Sequence, residues 1–300
     1  VDDTSPSQPY AGRRLMTVLA HPDDETFGAS ATLAKYVAGG AELVMVCATR
    51  GEVGQISDLS DATPATLGQA REQELRNAAA AVGAKEVIFL DYIDGQVAAA
   101  NFTELEAKVV ALYRRYRPDV VITFGKEGVY GHPDHVTIGK AAVAAFQDAA
   151  DPLKFGDDEP YQPQKLYFLA LSMPRMLQIM QRAIELGVPA VGMAADFAAG
   201  RNPGEGDVRV GGDAAPAGAP LGSPEEDITT VIDTANFTDQ KVQAIQSHRS
   251  QLAKDLPFRY VTPEIGRQIY TEEIFSHADP SGNIIRSSDS HPETDLLAGI

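Results

Sequence analysis

Short apolar runs alternate with stretches of helical period through the first half of the chain. Residues 13–20 (RRLMTVLA) read as a strand, and 26–40 (TFGASATLAKYVAGG) as a helix closed by Gly39 and Gly40. Residues 41–49 (AELVMVCAT) predict a second strand and 67–83 a helix stopped by Gly83. A third strand is predicted at 86–92, a helix at 101–116, a fourth strand at 119–125 after Pro118, and a helix at 133–150. Thr103 and Glu106 have the spacing of a capping box. Strands that are apolar throughout and separated by helices predict βαβ units, hence a parallel sheet covered on both faces. The fold class expected is α/β: a Rossmann-like, mostly parallel sheet flanked by helices, with its catalytic core at 13–150.

The second half is less regular and predicts an α+β portion, 151–300, that completes the fold and shapes the pocket. Strands are expected at 165–172 and 227–234, and helices at 174–187 and 239–253. Residues 199–224 are rich in Gly, Pro and Ala and are expected to be a mobile loop.

Composition narrows the function classes. A hydrophobic share of 44% supplies an ordinary core. No apolar run is long enough to span a bilayer, and residues 1–12 show no apolar signal region. The net charge of −17 repels phosphate backbones, so nucleic acid is not an expected partner. The single cysteine, Cys47, excludes a disulfide framework and reads as a small buried hydrophobe in a cytoplasmic protein. The sequons at Asn101 and Asn236 fall where helices begin and read as helix caps.

The chemistry gathers where the predicted strands end. In open α/β sheets ligands bind beyond the carboxyl ends of the strands. The segment His21-Pro22-Asp23-Asp24-Glu25 follows the first strand, Glu52 the second, Asp91 and Asp94 the third, and Tyr130, His132, Asp134 and His135 the fourth. Two His-Pro-Asp segments contain His21 and Asp24, and His132 and His135, each pair three residues apart. Three ligands from these loops make a His₂Asp metal site with a position left for water. One acid and one histidine remain for proton transfer. Pro22 and Pro133 suit the first position of a helix, which makes His132 an N-cap-like residue. His248 lies on a helical pattern and reads equally as a functional residue or as an ordinary surface or core histidine. There is no nucleophile elbow, no Walker loop and no G-x-G-x-x-G after the first strand.

AHPDDE, TRGE, REQELRNAAAAVG, DYIDG and YGHPDH, in this order, resemble the LmbE-like or PIG-L deacetylases, zinc enzymes that act on N-acetylglucosamine conjugates. The resemblance is close over 13–150 and looser beyond. It implies His21, Asp24 and His135 as metal ligands and Asp23 as general base. It implies His132 as the residue that protonates the leaving amine or stabilises the transition state, Asp134 as the acid that orients it, and Tyr130 as a group that polarises the carbonyl. Arg71 and Asp94 match sugar-contacting positions, with Glu52 a further candidate. The implied cofactor is Zn²⁺, with Fe²⁺ or another divalent ion as alternative. The implied partner is a small amino-sugar conjugate, and a homo-oligomer is compatible with the resemblance. Three other readings stay open: an amidase of a mycothiol-like thiol conjugate, a non-haem iron oxygenase, and a sugar-binding protein without turnover.

Overall fold

The computed structural model describes residues 8–58, 61–192, 194–195, 209–210, 213–214, 221–286 and 291–300. The expected alternation is present in its first half. β1 (Arg14–Leu19) pairs in parallel with β2 (Glu42–Thr49) on one side and β4 (Val120–Thr123) on the other, with Leu15 opposite both Leu43 and Val120. β3 (Glu86–Tyr92) extends the sheet beyond β2, and β5 (Lys165–Leu169) extends it beyond β4. The crossovers contain α1 (Asp24–Ala38), α2 (Leu67–Val82), α3 (Phe102–Tyr116) and α4 (Pro133–Asp148). Gly83 closes α2 at φ 77, and a Cβ there would stand 2.9 Å from Val37 Cγ1, so both backbone and packing need glycine.

The chain then completes the same sheet. α5 (Met173–Glu185) leads through the second half to β6 (Thr230–Asp233), α6 (Thr238–Ser247), α7 (Pro263–Ile269) and β7 (Glu272–Ala278). The seven-stranded order is β3-β2-β1-β4-β5-β7-β6, with β7 antiparallel to both its neighbours. The core lies on both faces of this sheet, and Cys47 is buried in it. Burial pushes the Cys47 thiol well above its ordinary pKa. No described helix is long and apolar enough to cross a membrane.

Several boundaries depart from expectation for local reasons. α1 begins two residues early, at Asp24, so Pro22 precedes the cap residue Asp23 instead of opening the helix. α3 is capped by Asn101, whose side chain accepts from Glu104 N at 3.3 Å, rather than by Thr103. Asn236 lies within a single turn, Ala235–Phe237, and caps nothing. The helix expected at 239–253 stops at Ser247, because the chain turns inward at His248. α7 and β7 had no clear apolar period; β7 carries Glu272, Glu273 and His277. The loop expected at 199–224 lies mostly outside the described residues. Within it only the two-residue ladder of Arg209–Val210 with Asp213–Ala214 and residues 221–224 are described.

A buried ion pair ties the second half to the first. Lys241 Nζ on α6 lies 2.5 Å from Glu273 Oε1 on β7 and also donates to the carbonyl of Phe27 at 2.9 Å. The Glu273 carboxylate accepts from Ala31 N and Thr32 N of α1, at 3.2 and 2.7 Å. Removing one charge leaves the other buried and uncompensated. Lys241→Met is therefore expected to lose about 3–5 kcal/mol of stability, as measured by urea denaturation.

Candidate metal and active site

The turn after β1 is built around carboxylates. Asp24 Oδ2 accepts from Ala20 N and His21 N, at 3.1 and 2.7 Å, and so folds back onto the strand end. Asp23 has φ 124, a left-handed backbone that a non-glycine residue adopts only when its surroundings enforce it. Here Thr26 N donates to the Asp23 carbonyl at 2.9 Å, and the Arg71 guanidinium lies 3.3 Å from Asp23 Oδ1. Arg71 is wholly buried and also donates to the carbonyls of Pro22 and Gly51, at 2.7 and 3.2 Å. A Cβ on Gly51 or Gly54 would stand 2.3 Å from Arg71 Nη1, so the glycines of the RGEVG loop leave room for the guanidinium.

The turn after β4 is equally constrained. Gly128 and Val129 have φ 60 and 68, and the Gly128 carbonyl lies 3.1 Å from His135 Nδ1. His132 is the N-cap of α4, with Pro133 following it; His132 Nδ1 accepts from Asp134 N at 3.2 Å. The His135 ring stacks on Phe124, centroids 4.0 Å apart, and Tyr130 OH lies 3.4 Å from His135 Nε2.

These contacts decide which ring nitrogens face one another. With Nδ1–H of His135 directed at the Gly128 carbonyl, its Nε2 presents a lone pair. His21 Nε2 lies 3.0 Å from Asp94 Oδ1 and 3.4 Å from Asp134 Oδ2, which places its proton there and leaves Nδ1 with a lone pair. His21 Nδ1 and His135 Nε2 stand 3.1 Å apart, and Asp24 Oδ1 lies 3.2 Å from His135 Nε2. Two lone pairs and a carboxylate that converge in this way are a donor set suited to a divalent cation. Two other groups, His21/His132/His135 and His21/Asp94/Asp134, each bring their ligand atoms within 4.8 Å of one another. Burial alone would raise the Asp24 carboxyl, but His135 and then His21 hold it well below the usual carboxylate range. Asp94 is lowered likewise, its desolvation outweighed by His21, Arg71 and the Val53 amide.

A family model described as PIG-L, GlcNAc-PI de-N-acetylase, matches residues 16–146. The 1D-myo-inositol 2-acetamido-2-deoxy-alpha-D-glucopyranoside deacetylase of Thermomonospora curvata is 32% identical over 96% of this chain and 97% of its own length. The chain belongs to the PIG-L de-N-acetylase family. It is accordingly an enzyme, a hydrolase of N-acetyl amides. Among solved structures, the N,N'-diacetylchitobiose deacetylase of Pyrococcus horikoshii superposes with a TM-score of 0.61 at 18% identity, over 92% of this chain and 88% of that one. The 4-carboxy-2-hydroxymuconate hydratase of Pseudomonas putida KT2440 does so with 0.60 at 18%, over 93% and 99%. At such identities the likeness is one of fold, and a deacetylase and a hydratase share it.

Within this PIG-L framework the structure brings His21, Asp23, Asp24, Tyr130, His132, Asp134 and His135 to one edge of the sheet. The residues expected at the sugar sit differently. Arg71 has no exposed surface and braces the loops after β1 and β2. Asp94 is buried against His21 and accepts from Val53 N at 3.2 Å, while Glu52, partly exposed, accepts from Asp94 N at 3.2 Å. The Asp134 carboxylate accepts from Gly95 N and Val97 N, at 2.7 and 3.1 Å, and faces His21. Asp134 meets His132 through its main-chain N–H. Asp91 turns outward to Arg50, 2.6 Å away.

Sequence reasoning missed a second polar network behind the Asp23 turn. His248 is fully buried, with Nε2 3.1 Å from Thr26 Oγ1 and 3.5 Å from Glu25 Oε1. Glu25 Oε2 in turn accepts from Asp23 N at 3.4 Å. Glu74 accepts from Ser250 N and Oγ, both at 2.7 Å, and anchors the chain just after His248. The helical pattern at 239–253 concealed this, because only the inward turn at His248 puts the ring in the interior. Burial lowers the His248 pKa, but Glu25 first and then Asp23 and Glu74 raise it by more, so the net shift is upward. A raised folded pKa gives stability that is fully present below the unfolded value of 6.5 and is lost as pH rises through the folded one. Unfolding free energy measured in urea is therefore expected to decline above about pH 6.5, and His248→Asn is expected to flatten that part of the profile.

Proposed function

We propose that the chain is a zinc-dependent N-deacetylase of a small N-acetylglucosamine conjugate. The observation that carries the metal is the 3.1 Å approach of His21 Nδ1 and His135 Nε2, both oriented by acceptors on their far sides, with Asp24 beside them. A divalent ion held by His21, Asp24 and His135 would supply Lewis acidity and a water acidified to near neutrality. Zn²⁺ suits two imidazoles and one carboxylate and needs no electron transfer, as amide hydrolysis does not. The name of the Thermomonospora relative supports an inositol-linked amino sugar as one form of the conjugate.

The remaining roles follow from position. Asp23, held rigid by Arg71 and by its own backbone, takes the proton as water adds to the acetamide carbonyl. Tyr130 OH, beside His135 Nε2, donates to the oxygen that becomes negative. His132, half-buried and within 5.0 Å of His135 ring to ring, protonates the departing nitrogen or stabilises the charge next to it. Asp134 orients this group through the α4 N-terminus, where His132 is the cap. Glu52 and Asp94 edge the site on the side of His21 away from Asp24. The lone buried Cys47 supports a cytoplasmic setting.

Acetate release from N-acetylglucosamine conjugates by metal-replete protein tests the reading. Chelation is expected to abolish release and added Zn²⁺ to restore it. Asp23→Asn is expected to lower kcat by about 10²–10⁴ with metal content unchanged. A variant with near-normal turnover would remove Asp23 from the role of base.

A further inference from the structure

A groove of about 110 Å³ opens directly on Asp23, Asp24, Tyr130 and His135. Such a volume exceeds what the single methyl of an acetyl group can fill. Its walls include Phe27, Leu169, Leu171, Met176, Met180 and Phe258. Among the described lining residues, no side chain beyond those four polar ones carries a hydrogen-bonding group other than a thioether. A second cavity of about 110 Å³ shares Phe27, Leu171, Met176 and Phe258 and continues the trough to Arg175 and Glu272, which pair at its rim. Met173, Met176 and Met180 recur at helical spacing, so one face of α5 supplies much of the wall. Met173 and Met176 keep part of their surface exposed. Unbranched, polarisable methionines adapt to apolar ligands of variable shape.

The direction of entry can be decided. A pyranose ring needs partners for its hydroxyls, and these walls supply almost none. The polar groups Glu52 and His132 lie outside the groove lining, and His21 turns Nε2 toward Asp94 and Nδ1 toward Asp24 and His135, which line the groove or its mouth. With the carbonyl at Tyr130 and His135, the amine side then faces the polar groups and the acyl side faces the methionines.

Resting on the deacetylase reading above, we propose that the groove is an acyl-chain site, and that the substrates include amino sugars N-acylated by an apolar chain longer than acetyl. In the reaction the water oxygen bonds to the carbonyl carbon and the C–N bond breaks. The chain leaves as a carboxylate, and the nitrogen leaves as the ammonium, carrying both protons of that water.

The test is kcat/KM for N-acetyl-, N-butanoyl- and N-hexanoylglucosamine as methyl glycosides, together with the octyl glycoside of N-acetylglucosamine, using zinc-loaded protein. Each buried methylene is worth roughly fourfold, so the hexanoyl substrate is expected to exceed the acetyl one by at least about tenfold. Met176→Glu is expected to cut that ratio by about tenfold or more, and Met176→Leu to retain it. Should Met176→Glu fail to fold, the wild-type series still decides. Cleavage of the acetyl compound with a hexanoyl-to-acetyl ratio of one or less would overturn the acyl site and leave the deacetylase standing. A preference for the octyl over the methyl glycoside without a gain from longer acyl chains would overturn it in favour of an aglycone site. No amine from any member would overturn both.

Discussion

Four carboxylates, those of Asp23, Asp24, Asp94 and Asp134, lie buried or nearly so around His21, His135 and one guanidinium, that of Arg71. Buried charge must be compensated or it destabilises the fold. Arg71 compensates Asp23, the Gly95 and Val97 amides compensate Asp134, and the two imidazoles face Asp24 and Asp94. The balance still leaves two imidazole lone pairs and the Asp24 carboxylate directed at one point. A cation is the charge that completes this arrangement, and the catalytic reading depends on it.

The same constraint accounts for the loops. The left-handed backbone at Asp23 persists because Arg71, Glu25 and the first amides of α1 all hold it. Glycines at 51 and 54 leave room for the Arg71 side chain, and Gly51 also has a left-handed backbone, φ 68. Lys241 and Glu273 then fasten the back of α1 to β7 and α6, so the second half of the chain buttresses the helix that follows the His21–Asp24 turn. The groove lies at this junction, with Phe27 and Gly28 of α1 on one side and the methionines of α5 on the other.

The first half was legible because each of its signals is local. Continuous apolar strands, helix-period segments and stop residues such as Gly83 and Pro118 act within a few residues, and the ends of parallel strands must share one edge of a sheet. The two His-Pro-Asp segments therefore point to one shared site from the sequence alone. The second half was less legible because its elements depend on partners far away. β7 opens on two acids, and its Glu273 is tolerable only against Lys241 and the α1 amides. His248 looked like one more position on a helix, and its burial follows from the turn that ends α6.

Sequence by itself determined the α/β class, the strand ends that meet, the family and the set of acids and histidines available for chemistry. Tertiary structure decided how those groups are arranged. It turned Arg71 from an expected sugar contact into a buried brace and directed the Asp134 carboxylate to His21 and two main-chain amides. It also joined α1, α5 and Phe258 into one apolar trough. The physical reason is range. Propensity and periodicity act over a few residues, whereas compensation of buried charge and the lining of a groove are set by residues tens to hundreds of positions apart.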